Sequence, residues 1–127
     1  IVDREIVPLK PARAAAGEII QLLLSHGARL NLRDEEGQTA LVHAVLREQP
    51  KVVQLLARAG INLDIQTKEG RTALMEAANN DDIESVKVLL TAGANVNKQD
   101  NNGDTAATLC SDDEIEKLLA AYGARIE

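Results

Sequence analysis

Aromatic residues and cysteines are almost missing from this 127-residue chain. It has one tyrosine, Tyr122, one cysteine, Cys110, and no phenylalanine or tryptophan. A core without rings has to be built from Leu, Ile, Val and Ala, and small side chains of similar size suit helices packed at short, regular spacing. A single cysteine cannot form an internal disulfide, so we expect an intracellular location.

Long apolar runs and excess positive charge are missing as well. No stretch approaches the roughly 20 apolar residues of a membrane span, and the N-terminus lacks the charged-then-apolar pattern of a secretory signal. The net charge is −6, and residues 67–127 hold six Lys/Arg against twelve Asp/Glu. These residues would repel phosphates, and the lack of aromatics removes stacking platforms for bases. We therefore expect no nucleic-acid partner and no membrane span.

A period of 33 residues runs through the sequence. Each unit contains a turn glycine, followed two and three positions later by Thr and Ala, and later a second glycine that closes an aliphatic cluster such as VVQLLARAG. A fixed period of this length predicts stacked units, none of which can bury its apolar face alone. The turn glycines are Gly37, Gly70 and Gly103, and the closing glycines are Gly27, Gly60 and Gly93.

Each unit is predicted to fold as a turn followed by two helices. The threonines Thr39, Thr72 and Thr105 are expected to cap the first helix, and the second helix is expected to start at Pro50 and at Asp82. In the last unit, residues 111–114 read SDDE, which has the spacing of a capping box. Its aliphatic cluster ends three residues early, at Gly123, so this unit is expected to lose three residues between its helices.

This pattern resembles the ankyrin repeat. The matching runs are G-x-T-A-L at 37–41 and 70–74 and the aliphatic runs closing in Gly-Ala at 22–28 and 89–94. The resemblance implies an all-α solenoid of helix-turn-helix units joined by β-hairpin-like loops. It also implies one domain over 1–127, with a degenerate first repeat, two full repeats and a shortened capping repeat. These would occupy residues 1–33, 34–66, 67–99 and 100–127.

The chain departs from the family pattern in several places. Ala replaces the usual Pro after each Thr, and the usual His is replaced by Val42, Met75 or Thr108. The first repeat lacks the G-x-T entry, and two prolines forbid a long helix there. We expect residues 1–10 to be extended and a short helix to start at Pro11.

Residue types that could carry chemistry have simpler structural explanations. His26 and His43 lack neighbours at metal-ligand spacing, which favours surface or capping roles. Cys110 aligns with Ala77, so a buried structural thiol is expected, and Met75 is expected in the core. A calcium loop that starts at Asp100 would need Gly at its sixth position and Glu at its twelfth, where the chain has Thr105 and Ser111. No phosphate-binding glycine loop or nucleophile–base set is present, so we predict neither an enzyme nor a cofactor.

A solenoid offers a long face rather than a deep pocket. The resemblance implies that partners contact the turn tips and the exposed ends of the first helices, which carry unlike residues from unit to unit. Leu46 looks solvent-facing because its equivalent is Asn79, although packing within its own unit is an alternative. The predicted contact residues are Arg33, Glu35, Glu36, Gln38, Leu46, Arg47, Gln66, Lys68, Glu69, Arg71, Asn79, Asn80, Gln99, Asn101, Asn102 and Asp104.

Two hypotheses for function follow. The first is a monomeric, non-catalytic module that binds a protein or peptide of some basic character, and in it Leu46→Asp with Arg71→Glu should abolish binding without changing the melting temperature. The second is a regulatory or targeting segment of a larger protein, which the Ile at position 1 favours. A structural spacer without a partner is a third, weaker reading.

Overall fold

Three helix pairs, each opened by a tight turn, make up residues 30–124, the part of the chain that the computed structural model describes. The predictions for residues 1–10, the helix from Pro11 and His26 lie outside this range. Within it there is no strand, as expected for an all-α repeat. The helices are α1 Ala40–Leu46, α2 Pro50–Arg58, α3 Ala73–Asn79, α4 Ile83–Thr91, α5 Ala106–Leu109 and α6 Asp113–Ala121.

The threonine caps are confirmed. The hydroxyl oxygens of Thr39, Thr72 and Thr105 each accept a hydrogen bond from the backbone N–H three residues later, at 3.4, 3.2 and 3.4 Å. α2 begins at Pro50, and Asp82 caps α4 by accepting from the N–H of Ser85 at 3.2 Å. Local sequence therefore sets where these helices start, because each cap satisfies backbone donors that lack a partner within the helix.

The predicted capping box at 111–114 is wrong. Asp112 is the N-cap of α6, and its carboxylate accepts from the N–H groups of Glu114 and Ile115 at 2.7 and 3.3 Å. Ser111 instead donates its backbone N–H and its hydroxyl to the carboxylate of Asp81, at 3.2 and 3.0 Å. The contact with the preceding unit therefore takes Ser111 away from its own helix.

Alanine substitution at Asp112 tests this assignment. Asp112→Ala should lower the free energy of unfolding by about 1 kcal/mol, because α6 loses its cap. Asp113→Ala makes the same charge change one residue later and should cost only about 0.3 kcal/mol, through the helix dipole. Thermal melts of both variants make the comparison, and a larger loss at Asp113 would contradict the assignment.

The last unit is shortened within its first helix rather than between its helices, contrary to our expectation. α5 has four residues where α1 and α3 have seven, and in each of the three described units three residues separate the two helices. Two residues after α1 and α3 end, Glu48 and Asp81 have φ of 54° and 55°, and their N–H groups close the helix end on the carbonyls of Val45 and Ala78. α5 ends instead at an extended Cys110, with ψ 151°, so its last turn is what has been deleted.

The closing glycines also end the second helices as predicted. Gly60, Gly93 and Gly123 have φ of 92°, 100° and 100°. The next residue after each glycine donates its N–H to the carbonyl four residues before that glycine, as in Ala94 to Leu89 at 3.0 Å. This bond satisfies a helix-end carbonyl and turns the chain towards the next tip.

The core is a continuous layer between two rows of helices. α1, α3 and α5 pack side by side in one row, and α2, α4 and α6 pack in the other. Leu74 and Leu89 are at most 1% exposed, and each contributes roughly 2 kcal/mol by its burial. Met75 lies in the core as predicted, and Ala77 and Ala78 are fully buried where first helices come close. Small side chains thus let the rows pack without rings.

The tip face as candidate protein-binding surface

Three turns with the same hydrogen bonds project from one end of the units, at 34–38, 67–71 and 100–104. In each, the first residue donates its N–H to the carbonyl four residues later, at 2.8–3.0 Å, and the glycine donates back to the carbonyl of the first residue, at 2.8–2.9 Å. These are hairpin turns that are not extended into strands. Together with α1, α3 and α5 they form what we call the tip face.

Aspartates hold two of the turns from inside. Oδ1 of Asp34 accepts the N–H groups of Glu36 and Gln38 at 2.9 and 2.8 Å, and Oδ1 of Asp100 accepts those of Asn102 and Asp104 at 2.8 and 2.9 Å. The backbone donors Gln38 and Asp104 are the main causes that lower the pKa of Asp34 and Asp100, respectively. Their stabilising effect is therefore lost as pH falls through the lowered values.

Adjacent tips are joined by a backbone ladder. Lys68 donates its N–H to the carbonyl of Glu36 at 3.1 Å, and Asn101 donates its N–H to that of Glu69 at 3.0 Å. The side-chain amide of Asn101 adds a bond to the carbonyl of Lys68 at 2.8 Å. The tips therefore form one connected edge rather than three independent loops.

Two of the predicted contact residues build a second ladder beside the first. Arg33 Nη2 donates to the carbonyl of Gln66 at 2.6 Å, and Gln66 Nε2 donates to that of Gln99 at 2.9 Å. Both side chains also bond within their own turn, to the carbonyls of Gly37 and Gly70. Arg33, Gln66 and Asn101 thus have scaffold roles, and their contact with a partner stays a prediction.

Arg71 lies in a charge network between the second and third tips. Its Nη1 is 3.4 Å from Oε1 of Glu76, and its Nε is 3.5 Å from Oδ2 of Asp100. Both carboxylates belong to residues that are 7% exposed. Arg71→Glu would put three carboxylates together, so the expectation that this change leaves melting unaltered has to be withdrawn.

Glu76 is the residue of this face that the sequence analysis missed. Burial raises its pKa, and the Arg71 guanidinium opposes that rise. The available signal was an acid on a first helix where the neighbouring units carry His43 and Leu109. His43 itself has a surface role, because its Nε2 lies 2.8 Å from Oδ2 of Asp34 and both side chains are partly exposed.

The remaining predicted residues differ in exposure. Leu46 is 39% exposed at the end of α1, which confirms that it faces solvent. Gln38 and Asp104 are half-buried, and the Asp104 carboxylate accepts from the hydroxyl of Thr108 at 3.4 Å. The other exposed members of the set are Glu35, Glu36, Arg47, Lys68, Glu69, Asn79, Asn80, Gln99 and Asn102.

Cys110 is the residue that the sequence offered as a possible nucleophile. Cys110 is half-buried rather than fully buried, because it follows the shortened α5 instead of lying within a helix. Burial raises the pKa of its thiol, and the Sγ donates to the carbonyl of Ala107 at 3.4 Å.

Residues 30–124 bring together no group of three metal-ligating side chains. None of the helices described there has the length and apolarity to cross a bilayer.

Comparison with known proteins gives a consistent result. A family model for ankyrin repeats in three copies matches residues 12–67 and 59–127. A search of the curated proteins by sequence gives no match. Among solved structures, the ankyrin repeat domain of Bcl-3, described as a unique member of the IkappaB protein family, is 30% identical with a TM-score of 0.79. The match covers 81% of this chain and 46% of the Bcl-3 chain, so the present chain spans less than half of it.

Proposed function

This chain belongs to the ankyrin-repeat family, and we propose that it is a non-catalytic module that binds a protein or an extended peptide on the tip face. Ankyrin repeats generally serve as protein-interaction modules, and the stacking of repeats gives such a face a concave shape. The tip face is the surface that the family resemblance implies, and we add which of its residues anchor the partner. On that face, some side chains hold adjacent tips together, and others are exposed and available to a partner.

The observation that carries the proposal is the exposure of Leu46. An aliphatic side chain that is 39% exposed sits at the end of α1, beside the exposed Arg47. The equivalent residues of α3 are the exposed polar pair Asn79 and Asn80. Apolar and arginine side chains that become buried together are common anchors in protein interfaces. Leu46 and Arg47 are therefore proposed as the anchor of the contact.

Charge on the tips favours a partner with basic character. Exposed carboxylates at Glu35, Glu36 and Glu69 face solvent on two successive tips, and Lys68 is the exposed cation among them. Opposite charge on a partner would speed association and fix its orientation rather than supply most of the affinity. We expect the affinity to fall as the salt concentration rises, because these groups are screened.

A double substitution tests the anchor. The purified 127-residue chain, immobilised on beads, is compared with the variant Leu46→Asp/Arg47→Glu for capture of proteins from a cell lysate, quantified by mass spectrometry. We expect at least one protein to bind the natural chain and to lose about tenfold or more with the variant, since anchor residues typically contribute more than 1 kcal/mol each. The melting temperature should stay within about 3 °C, because both side chains are exposed.

The matched control changes the same number of residues on the outer helices. Lys51→Glu/Lys117→Gln alters two exposed side chains of α2 and α6 and makes the surface more acidic, as the test variant does. Captured proteins should be retained by this control. If the control loses them equally, or if the test variant keeps them, the anchor is not at Leu46 and Arg47.

A second candidate is a regulatory or targeting segment within a larger protein, possibly an enzyme. The full-length open reading frame distinguishes the two: a catalytic domain in the same frame supports the second, and repeats alone support the first.

A further inference from the structure

A groove opens on the side of the repeats made by the second helices, between α2 and α4. It has a volume of about 430 Å³ and is lined by three residues of α2 and by three of α4 together with its C-cap. Its floor consists of the small or half-buried residues Ala57, Val88 and Ala92. Because α2 and α4 occupy equivalent places in successive repeats, the groove runs along two parallel helices.

Two cations flank this floor. Arg58 and Lys87 both line the groove and are exposed, and the other polar lining residues, Gln54 and Thr91, are uncharged. In the described part of the chain, neither Arg58 nor Lys87 forms an ion pair or a side-chain hydrogen bond. The nearest acid on these helices is Glu84, one turn before Lys87, which lines a separate depression with Glu48.

The charge of the groove is opposite to that of the molecule. The chain carries a net charge of −6, and the first turn of α6 alone holds Asp113, Glu114 and Glu116. A polyanionic segment would be repelled by α6 and by the acidic tips. It would meet two unpaired cations and an apolar floor at the α2–α4 groove.

We propose that the α2–α4 groove is a second docking site, which binds an acidic peptide segment of a partner protein with carboxylates on either side of an aliphatic side chain. The carboxylates pair with Arg58 and Lys87, and the aliphatic side chain lies on Ala57, Val88 and Ala92. Exposed ion pairs are individually weak, so the site favours a weak contact that adds to binding at the tip face. Binding of the acidic segment in the groove does not itself require binding at the tip face.

The test follows amide chemical shifts of the ¹⁵N-labelled 127-residue chain by NMR while the capped peptide Ac-Glu-Glu-Leu-Glu-Glu-NH₂ is added. We expect saturable shifts at Ala57, Val88 and Ala92, and weaker binding at higher salt. Arg58→Ala/Lys87→Ala should weaken binding about fivefold, the sum of two exposed ion pairs. The same peptide with Gln in place of Glu should show no saturable shifts.

A matched control separates this site from long-range charge. Lys51→Ala/Lys117→Ala removes two exposed cations of α2 and α6 that do not line the groove. This variant has the same net charge as Arg58→Ala/Lys87→Ala, so its affinity for the peptide should change less than twofold. Leu46→Asp/Arg47→Glu should not weaken binding of the peptide, so failure of the groove proposal can be distinguished from failure of the tip-face proposal. The proposal would be overturned by an equal loss of peptide affinity in the test variant and in the lysine control, or by chemical-shift changes confined to the tips. Binding of phosphatidylserine vesicles without binding of the peptide would also overturn it.

Discussion

Replacing Gly70 by alanine should lower the free energy of unfolding by about 3 kcal/mol, whereas the same change at Gly103 should cost about 1 kcal/mol. Both glycines have φ of 82°, so the strain of a left-handed backbone is common to the two variants. A Cβ at Gly70 would lie 2.7 Å from the backbone N of Asn101 and 3.1 Å from the carbonyl carbon of Asp100. A Cβ at Gly103 would have no atom within 4 Å.

The additional cost at Gly70 comes from the tip ladder. Making room for a methyl group requires Asn101 to move, and Asn101 makes two of the bonds that join the second and third tips, at 3.0 and 2.8 Å. Gly37→Ala should fall between the other two variants, because its Cβ would lie 3.0 Å from the N of Lys68.

Thermal and urea unfolding of the three variants measures the difference. For a domain of this size, 2 kcal/mol corresponds to about 6–10 °C in melting temperature. Equal losses at Gly70 and Gly103 would show that the ladder does not contribute to the stability of the stack.

Arg71→Ala should destabilise the domain by about 2 kcal/mol at pH 7 and by less at pH 5. Without the guanidinium, the carboxylate of Glu76 stays in a site that is 7% exposed, and residues 30–124 place no other cation within ion-pair distance of it. Asp100 also loses its partner at 3.5 Å but keeps two backbone donors. Glu76 therefore accounts for most of the expected loss.

The pH dependence follows from the direction of the pKa shift. Burial already raises the pKa of Glu76 above its ordinary 4.5, and removing Arg71 removes the group that opposes this rise. Between the unfolded and the folded pKa, the native state binds more protons than the unfolded state, so stability decreases as pH rises. As the pH is lowered towards this raised pKa, the native variant protonates Glu76 and recovers part of the loss.

Charge removal provides the matched control. Glu76→Gln in the natural background should change stability by less than about 1 kcal/mol, because the amide retains hydrogen-bonding capacity and Arg71 keeps Asp100 as its partner. Added to Arg71→Ala, it should restore part of the stability at pH 7 and flatten the dependence between pH 5 and 7. A variant Arg71→Ala whose loss is the same at both pH values would contradict a role for Glu76.

The start of every described helix was close to predictable from the sequence. Thr39, Thr72 and Thr105 cap the first helices, and Pro50 opens α2, because these signals act within one turn of the chain. The 33-residue period then indicated the stacking, since a helix pair of this size cannot exclude water alone. Family, fold class and the exposure of Leu46 followed from the same pattern.

The last unit shows where local signals were insufficient. Residues 111–114 have capping-box spacing, but Ser111 is bound to Asp81 of the preceding unit and the cap passes to Asp112. Counting residues also placed the three-residue deletion of the last unit wrongly. The missing turn belongs to α5, and the connection between α5 and α6 keeps its length. The first of these errors arises from a contact between residues 30 positions apart in the chain.

By itself, the sequence determined the repeat, its helix starts and the residues that cannot be part of the core, because these depend on neighbours along the chain. Only the tertiary structure decided which exposed side chains are free for a partner. Arg33, Gln66 and Asn101 carry the polar groups expected of contact residues, yet each bonds a carbonyl of an adjacent unit. Such bonds depend on the distance and rotation between stacked units, which the packing of α1 against α3 and of α3 against α5 sets.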